Sequence, residues 1–433
     1  MAEFLWKKDD TPIDEAIMAF LAGEDVLLDQ HIFLFDIEAS RAHVGGLNRI
    51  GLISDDELKN LDTALSSLAA EFRSGDFVLD RHFEDGHSAI EFYLTDKLGE
   101  TGKKVHAGRS RNDQVLVATR LFLVDALGQL GERCCEIAEA FLKRAETDGA
   151  LPMPGYTHLQ HAVVSSAGLW FASCAEAFID NAVLAGQTRE WVSSNPLGTA
   201  AGFGVNLPLD REYTTGALKF SRMQINPMYA QNSRGKFELQ GLSAMLQAML
   251  DLRRFSWDLS LYMTPEFGFV DLPDQYTTGS SIMPNKRNPD LVELLRGECA
   301  TSQAALAELS ATLSLPGGYH RDLQLTKAPL LRGFIRGLAA LRLVPGLVRS
   351  VILVPEKMRA GIEAEMYATD RAMELVAKGA AFREAYREAL QNPEELAGRN
   401  PEDSLTSRNS PGAPGNLCLD ELRDRLARVS EAD

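Results

Sequence analysis

The sequence predicts an all-α fold: three mainly helical domains with a central elongated five-helix bundle. Three observations carry this. No proline occurs between Pro12 and Pro152, so nothing there strips a helix of a backbone donor. From Asn112 to about Thr147, the apolar positions Leu121, Val124, Leu127, Leu130, Cys134, Ile137 and Phe141 recur every three or four residues, the stripe of a helix packed in a bundle. Alternating β-branched patterns, the mark of half-buried strands, are scarce along the whole chain.

Taken in order, the first hundred residues read as shorter amphipathic helices, such as Asp55–Phe72. The striped helix follows. Residues from about 161 to 193 repeat the helical theme with many small side chains, as in Ser165-Ser166-Ala167-Gly168 and Ala172-Ser173-Cys174-Ala175, which let helices approach closely. Three more helices are expected at about 229–263, 289–314 and 322–353, with Pro196, Pro227, Pro265, Pro289 and Pro316 punctuating the middle of the chain. Five long helices in succession make the bundle. After Pro355 the pattern returns to short helices around a polar stretch at Asn400–Gly415. Domains are therefore expected at 1–108, 109–356 and 357–433.

At 433 residues and 45% hydrophobic content, the chain can bury substantial cores. Its formal charge of −17 argues against a nucleic-acid binder, because phosphate neutralisation needs clustered Lys and Arg. An anionic substrate must then be met by a local basic pocket inside an acidic envelope. Cys134, Cys135, Cys174, Cys299 and Cys418 form no CxxC pair, which argues for reduced thiols and no structural zinc. The first residues hold no apolar secretory core, and no uncharged apolar run reaches membrane-spanning length. A soluble cytoplasmic protein without a membrane partner is expected.

The run Gly279-Ser280-Ser281-Ile282-Met283-Pro284-Asn285-Lys286-Arg287-Asn288-Pro289-Asp290 holds the most chemistry. Glycine and two hydroxyls suit a mobile loop whose N–H groups can point inward, and Asn288-Pro289-Asp290 reads as a helix start. His106-Ala107-Gly108-Arg109-Ser110-Arg111-Asn112-Asp113-Gln114 gathers donors at another helix start. Its Arg forks suit carboxylates, and the same run equally reads as a cap by Asn112 or Asp113 with solvated arginines. Gly155-Tyr156-Thr157-His158-Leu159-Gln160-His161 is placed in a turn before the second bundle helix. A histidine there could act as a general acid, or simply sit at the surface; a metal is discounted, since no third ligand accompanies His158 and His161. Glu84-Asp85-Gly86-His87-Ser88-Ala89-Ile90-Glu91 reads as a decorated helix with His87 its distinctive member, and Arg321-Asp322 as a salt-bridged helix start.

These runs resemble, in order, the motifs of the argininosuccinate lyase family within the aspartase/fumarase superfamily, over about residues 35 to 390. The Ser280 loop resembles the superfamily's signature loop, and His106–Gln114 the family's HTGRSRNDQ form, with Ala107 for threonine. Residues 155–160 resemble GYTHLQ, residues 84–91 EDxHxAIE, and Tyr319-His320-Arg321-Asp322-Leu323-Gln324 with Lys327 the YNRDLQ…K segment. The resemblance implies β-elimination of argininosuccinate to arginine and fumarate. Ser280 would be the base, and Lys286 and Asn288 would hold the carbanion. His158, partnered by Glu293, would be the acid. His87, Ser110, Arg111, Asn112, Thr157, Tyr319, Gln324 and Lys327 would bind substrate. A guanidino leaving group requires no metal or organic cofactor. The resemblance also implies a homotetramer with sites composed from three subunits.

Three places depart from the family pattern. Trp6-Lys7-Lys8-Asp9-Asp10 stands for a Trp-Gly-Gly-Arg-Phe-like opening, Asp25 for a substrate-contacting serine, and Ser233-Arg234-Gly235-Lys236 for Ser-Asp-Arg-Asp. An added carboxylate at Asp25 would repel a carboxylate substrate unless it meets a cation. Two alternatives therefore stand: a fumarate-releasing lyase acting on another N-substituted aspartate, and a non-catalytic, crystallin-like structural tetramer.

Overall fold

Five long helices carry the chain: Arg111–Asp148, Ala167–Val192, Lys236–Tyr262, Asp290–Thr312 and Lys327–Ser350. The computed structural model describes Ile17, Phe20, Leu21 and residues 23–432. The departure at Trp6–Asp10 lies outside the described residues. Packing divides the chain into two compact units, and each long helix contributes one portion to each. Unit one is the described part of Met1–Gly128 with Gly186–Ala244 and Gln303–Ile335; unit two is Gln129–Ala185, Met245–Ser302 and Arg336–Asp433.

In unit one, Phe33, Ile37, Val44, Leu47, Leu61, Leu65, Leu68, Ile90 and Leu94 form one apolar cluster under the N-terminal helices. Among these, Asp55–Ser74 begins in a capping box: the Ser54 hydroxyl accepts from the Glu57 N–H, and the Glu57 carboxylate accepts from the Ser54 N–H. The long-helix portions meet through small residues and rings. Phe122 packs edge-on against Phe334, and a side chain at Gly241 would run into Leu123 and Phe334. Unit two is centred on Phe141, whose ring meets Phe171, Phe178 and Phe255. Its C-terminal part is built of short helices, among them Pro355–Ala360, Ala368–Ala377, Phe382–Gln391, Pro401–Ser407 and Leu419–Ala432.

Three expected helix boundaries are corrected. Residues 161–166 are not helical: Gln160–Ser166 pairs antiparallel with Pro152–Thr157 as a hairpin. Pro152 and Pro154 cannot serve as helix donors, Val163 and Val164 favour the pleat, and the Ser166 hydroxyl accepts from Leu169 N–H to start the helix. The helix expected from 229 is two pieces. Asn226 caps Pro227–Asn232, and Gly235 at φ 85° breaks the chain before Lys236. The segment Arg321–Thr326 is 3₁₀ rather than α, leading into the helix at Lys327. No disulfide links any of the five cysteines, all of which lie among the described residues.

Candidate active site

Unit one holds an open cavity of about 220 Å³ whose walls include Asp25, Glu84, Asp85, His87, Arg111, Asn112, Arg234, Tyr319, Arg321, Gln324 and Lys327. Six of the expected site residues are thus brought together there: His87, Arg111, Asn112, Tyr319, Gln324 and Lys327. The sequence supplies the scaffold locally. Asp85 caps the helix Gly86–Leu98, its carboxylate accepting from the Ser88 N–H, so the next-but-one residue, His87, faces inward at a fixed angle.

The His87 imidazole Nδ1 lies 2.5 Å from Asp36 Oδ2, with both residues buried. Burial disfavours the imidazolium, but Asp36, with Asp85 and Asp29, outweighs it and pushes the pKa up to about 9. His87 is therefore a charged cavity wall at neutral pH. The helix Arg111–Asp148 starts differently from the expectation that Asn112 or Asp113 caps it. Ser110 occupies the cap, its hydroxyl accepting from Asn112 N–H, while its own N–H donates to Asp113. Ser110 is therefore used at the cap and is not among the cavity walls. The other Asp113 oxygen accepts from the N–H groups of Gly198 and Ala200, fixing a loop in which Ala200 has φ 51°. The Arg111 fork is filled: its nitrogens donate to both Glu84 oxygens at 2.8 and 3.1 Å, and Asp85 lies 3.5 Å away.

Lys327 opens the last long helix, and its buried ammonium donates to Asp25 at 2.6 Å and to Asp29 at 2.5 Å. Burial penalises the ammonium, but the two aspartates hold its pKa above the usual value. Burial likewise raises the Asp25 carboxyl, helped by Asp29 and opposed by Lys327. The added carboxylate at 25 thus meets a cation, the condition set for it by the sequence. Asp25 and Asp29 stand four residues apart on one helix, a legible signal that the two carboxylates share a face. Asp36 had no comparable signal.

In unit two, Thr278–Gly279 pairs with Arg287–Asn288, closing residues 280–286 into a loop at the start of helix Asp290–Thr312. The Ser280 hydroxyl accepts from the Met283 N–H at 3.0 Å and the Ile282 N–H at 3.3 Å. Lys286 is exposed, and Asn288 is half-buried in the two-residue ladder. Thr157 and His158 lie at the tip of the Pro152–Ser166 hairpin, a β-turn rather than a plain loop. His158 and Leu159 have φ 56° and 57°, the two-residue left-handed turn that matches strand twist but strains residues with a Cβ. Among the described residues, neither the His158 nor the Glu293 side chain has a hydrogen-bond or ion-pair partner, so the expected pairing of the two is not formed within this chain's described contacts.

A family profile described as Lyase matches residues 14–303. Argininosuccinate lyase of Stenotrophomonas maltophilia strain R551-3 is 57% identical over 431 residues, covering 99% of this chain and all of its own length. The protein of the same name from Xylella fastidiosa strain 9a5c is 57% identical over 432 residues, covering 100% of this chain and 97% of its own. Among solved structures, an EDDS lyase in complex with formate superposes with a TM-score of 0.78 at 23% identity, covering 98% of this chain and 91% of that one. A class II fumarase from Schistosoma mansoni gives 0.73 at 16%, covering 98% and 96%. At those identities the solved structures bear on the fold, which is mainly helical as expected. Among the described residues no helix is long and apolar enough to cross a membrane.

Proposed function

The chain belongs to the argininosuccinate lyase family, and from that premise we propose that it splits argininosuccinate reversibly into arginine and fumarate, a step of arginine biosynthesis. The observation that carries the chemistry is the Ser280 hydroxyl accepting two backbone N–H groups. A serine is a poor base unless its alkoxide is stabilised, and donors aimed at that oxygen favour the charged form.

In this reading Ser280 takes the proton from the carbon beside a succinyl carboxylate. The electron pair delocalises into that carboxylate as an aci form held by Lys286 and Asn288. It then forms the C=C bond of fumarate as the C–N bond breaks, and His158 delivers a proton to the departing guanidino nitrogen. Glu293 orients that histidine, and the cavity at His87, Arg111, Asn112, Tyr319, Gln324 and Lys327 binds the rest of the substrate. Lys327 does so through its aspartates, since its ammonium is already engaged.

The assembly is proposed as a cytoplasmic homotetramer with sites shared between subunits, and the division at 108 and 356 belongs to the same proposal. Support comes from the side chains of His158 and Glu293, residues that are exposed and whose side chains lack a partner among the described residues, as groups completed by another copy would be. Fumarate absorbance with argininosuccinate tests the activity; no turnover, with another succinyl amine accepted, would move the assignment to a different N-substituted aspartate. Light scattering tests the assembly. A tetramer of the 47.5 kDa chain has about four times that mass, and a stable, active monomer would exclude shared sites.

A further inference from the structure

We propose that Arg234 is the residue that anchors the α-carboxylate of the substrate's arginine half, with Asp25 on the wall of the same cavity facing the α-ammonium. The inference rests on the lyase reading and deepens it, because both residues stand where the chain departs from the family pattern.

The cations around the unit-one cavity differ in how they are engaged. His87 is paired with Asp36, Arg111 with Glu84 and Asp85, and Lys327 with Asp25 and Asp29. Arg321 is exposed and donates to the Leu21 carbonyl at 3.0 Å. Arg234 is different. It is only 7% exposed, and its buried Nη1 has no hydrogen-bond partner among the described residues. Its guanidinium stands 5.7 Å from the centre of the Tyr319 ring, and no carboxylate pairs with it there. Arg109 Nε and Arg120 Nη2 are also buried without acceptors, so what sets Arg234 apart is its place: a buried guanidinium on the cavity wall with no carboxylate partner, its charge left for an anion that enters.

The chain also holds this arginine in place. Arg234 sits in the joint between helices Pro227–Asn232 and Lys236–Tyr262, its N–H donating to the Gln231 carbonyl at 3.1 Å. The preceding Ser233 is buried, its hydroxyl accepting from Gln224 at 2.7 Å and donating to the Ala230 carbonyl. The following Gly235 adopts φ 85° where any Cβ would strike Leu313. A guanidinium set on so constrained a backbone loses little further freedom on binding.

The choice of anion follows from the neighbouring charges. Lys327 with Asp25 and Asp29 sums to one net negative charge, which suits an ammonium and opposes a second carboxylate. A zwitterionic amino-acid end offers both signs on adjacent bonds, whereas a succinyl end offers only anions. Lys327, otherwise the obvious carboxylate ligand, is already neutralised.

The test uses the intact enzyme with L-arginine, agmatine (arginine without its carboxylate) and fumarate as inhibitors, and with direct calorimetric binding of the first two. Wild type is expected to bind arginine about ten- to hundredfold more tightly than agmatine, the range for a charge-assisted pair. Arg234→Gln should bring arginine down to the agmatine level while leaving agmatine and fumarate unchanged, and Arg234→Lys should restore part of the difference. The proposal is overturned if Arg234→Gln keeps the arginine-to-agmatine ratio, if wild type shows no such ratio, or if fumarate weakens in step. Because each ratio is internal to one protein, partial misfolding does not mimic it. Failure of wild type to turn over argininosuccinate would instead sink the lyase reading, while the calorimetric ratio would still decide the role of Arg234.

Discussion

Replacing Asp36 by Asn should switch off the charge on His87 at neutral pH, and the size of the effect follows from the structure. The buried imidazole holds a pKa of about 9, against an ordinary 6.5, because the Asp36 carboxylate 2.5 Å away outweighs burial. That rise corresponds to about 3 kcal/mol of preference for the imidazolium. With an amide at 36, burial acts against only the more distant Asp85 and Asp29, and the pKa should fall to near 6.5 or lower. At about pH 7.5, the charged fraction then drops from ~97% to ~9% or less, roughly a tenfold loss of cationic cavity wall. The sign for stability follows from the same values. A folded-state pKa above the unfolded one contributes stability fully present below about pH 6.5 and lost as pH rises through about 9. Nitrogen-15 titration of the imidazole reads the shift directly, and KM against pH reads its consequence. Asp36→Asn should raise KM about tenfold near pH 7.5 and recover most of it near pH 5.5, where the ring is charged again. A wild-type His87 titrating near 6.5, or a KM defect that acid does not reverse, would refute the reasoning.

Other consequences are as direct. Ser280→Ala should lower kcat by about 10²–10⁴-fold, the range for removing a positioned base, with the assembly mass unchanged by light scattering; retained turnover would place the base elsewhere. Gly102→Ala should cost about 3 kcal/mol in urea unfolding, since its Cβ would enter the backbone of Leu94 and lie 2.6 Å from Thr95 N, atoms that cannot yield. Leu159→Gly should stabilise the chain by about 1 kcal/mol by relieving a left-handed φ of 57° at a side chain 69% exposed, and an unchanged midpoint would show that the strain is offset elsewhere.

Much of the helical skeleton was legible because bundle helices announce themselves in period. The stripe Leu121–Phe141 lies within Arg111–Asp148, and the small residues after Ala167 lie within Ala167–Val192. What escaped was where backbone dihedrals, rather than side-chain period, decide. The hairpin Pro152–Ser166 turns on two positive-φ residues, His158 and Leu159, neither of which is a turn former by type. Sequence rules look for Asn-Gly at such a turn and find His-Leu. The break before Lys236 depends on Gly235 meeting Leu313, a neighbour far along the chain that no local window contains.

The candidate site divides along the same line. Residue types and their order picked out His87, Arg111 and Lys327, but not their charge partners. His87 lies 51 positions from Asp36, and Lys327 lies 298 from Asp29, so each pairing is a product of the fold. Read alone, Lys327 and Arg111 look like the groups that hold substrate carboxylates, and Arg234 looks like an unexplained substitution. Once the pairs are placed, the first two are already engaged by aspartates and glutamate, and Arg234 is left as the buried guanidinium on the cavity wall with no carboxylate partner. In a chain of net charge −17 the supply of unpaired cations, and not the number of cations, decides where an anion can bind. A motif can report the number of cations, but only the folded chain shows which of them remain unpaired.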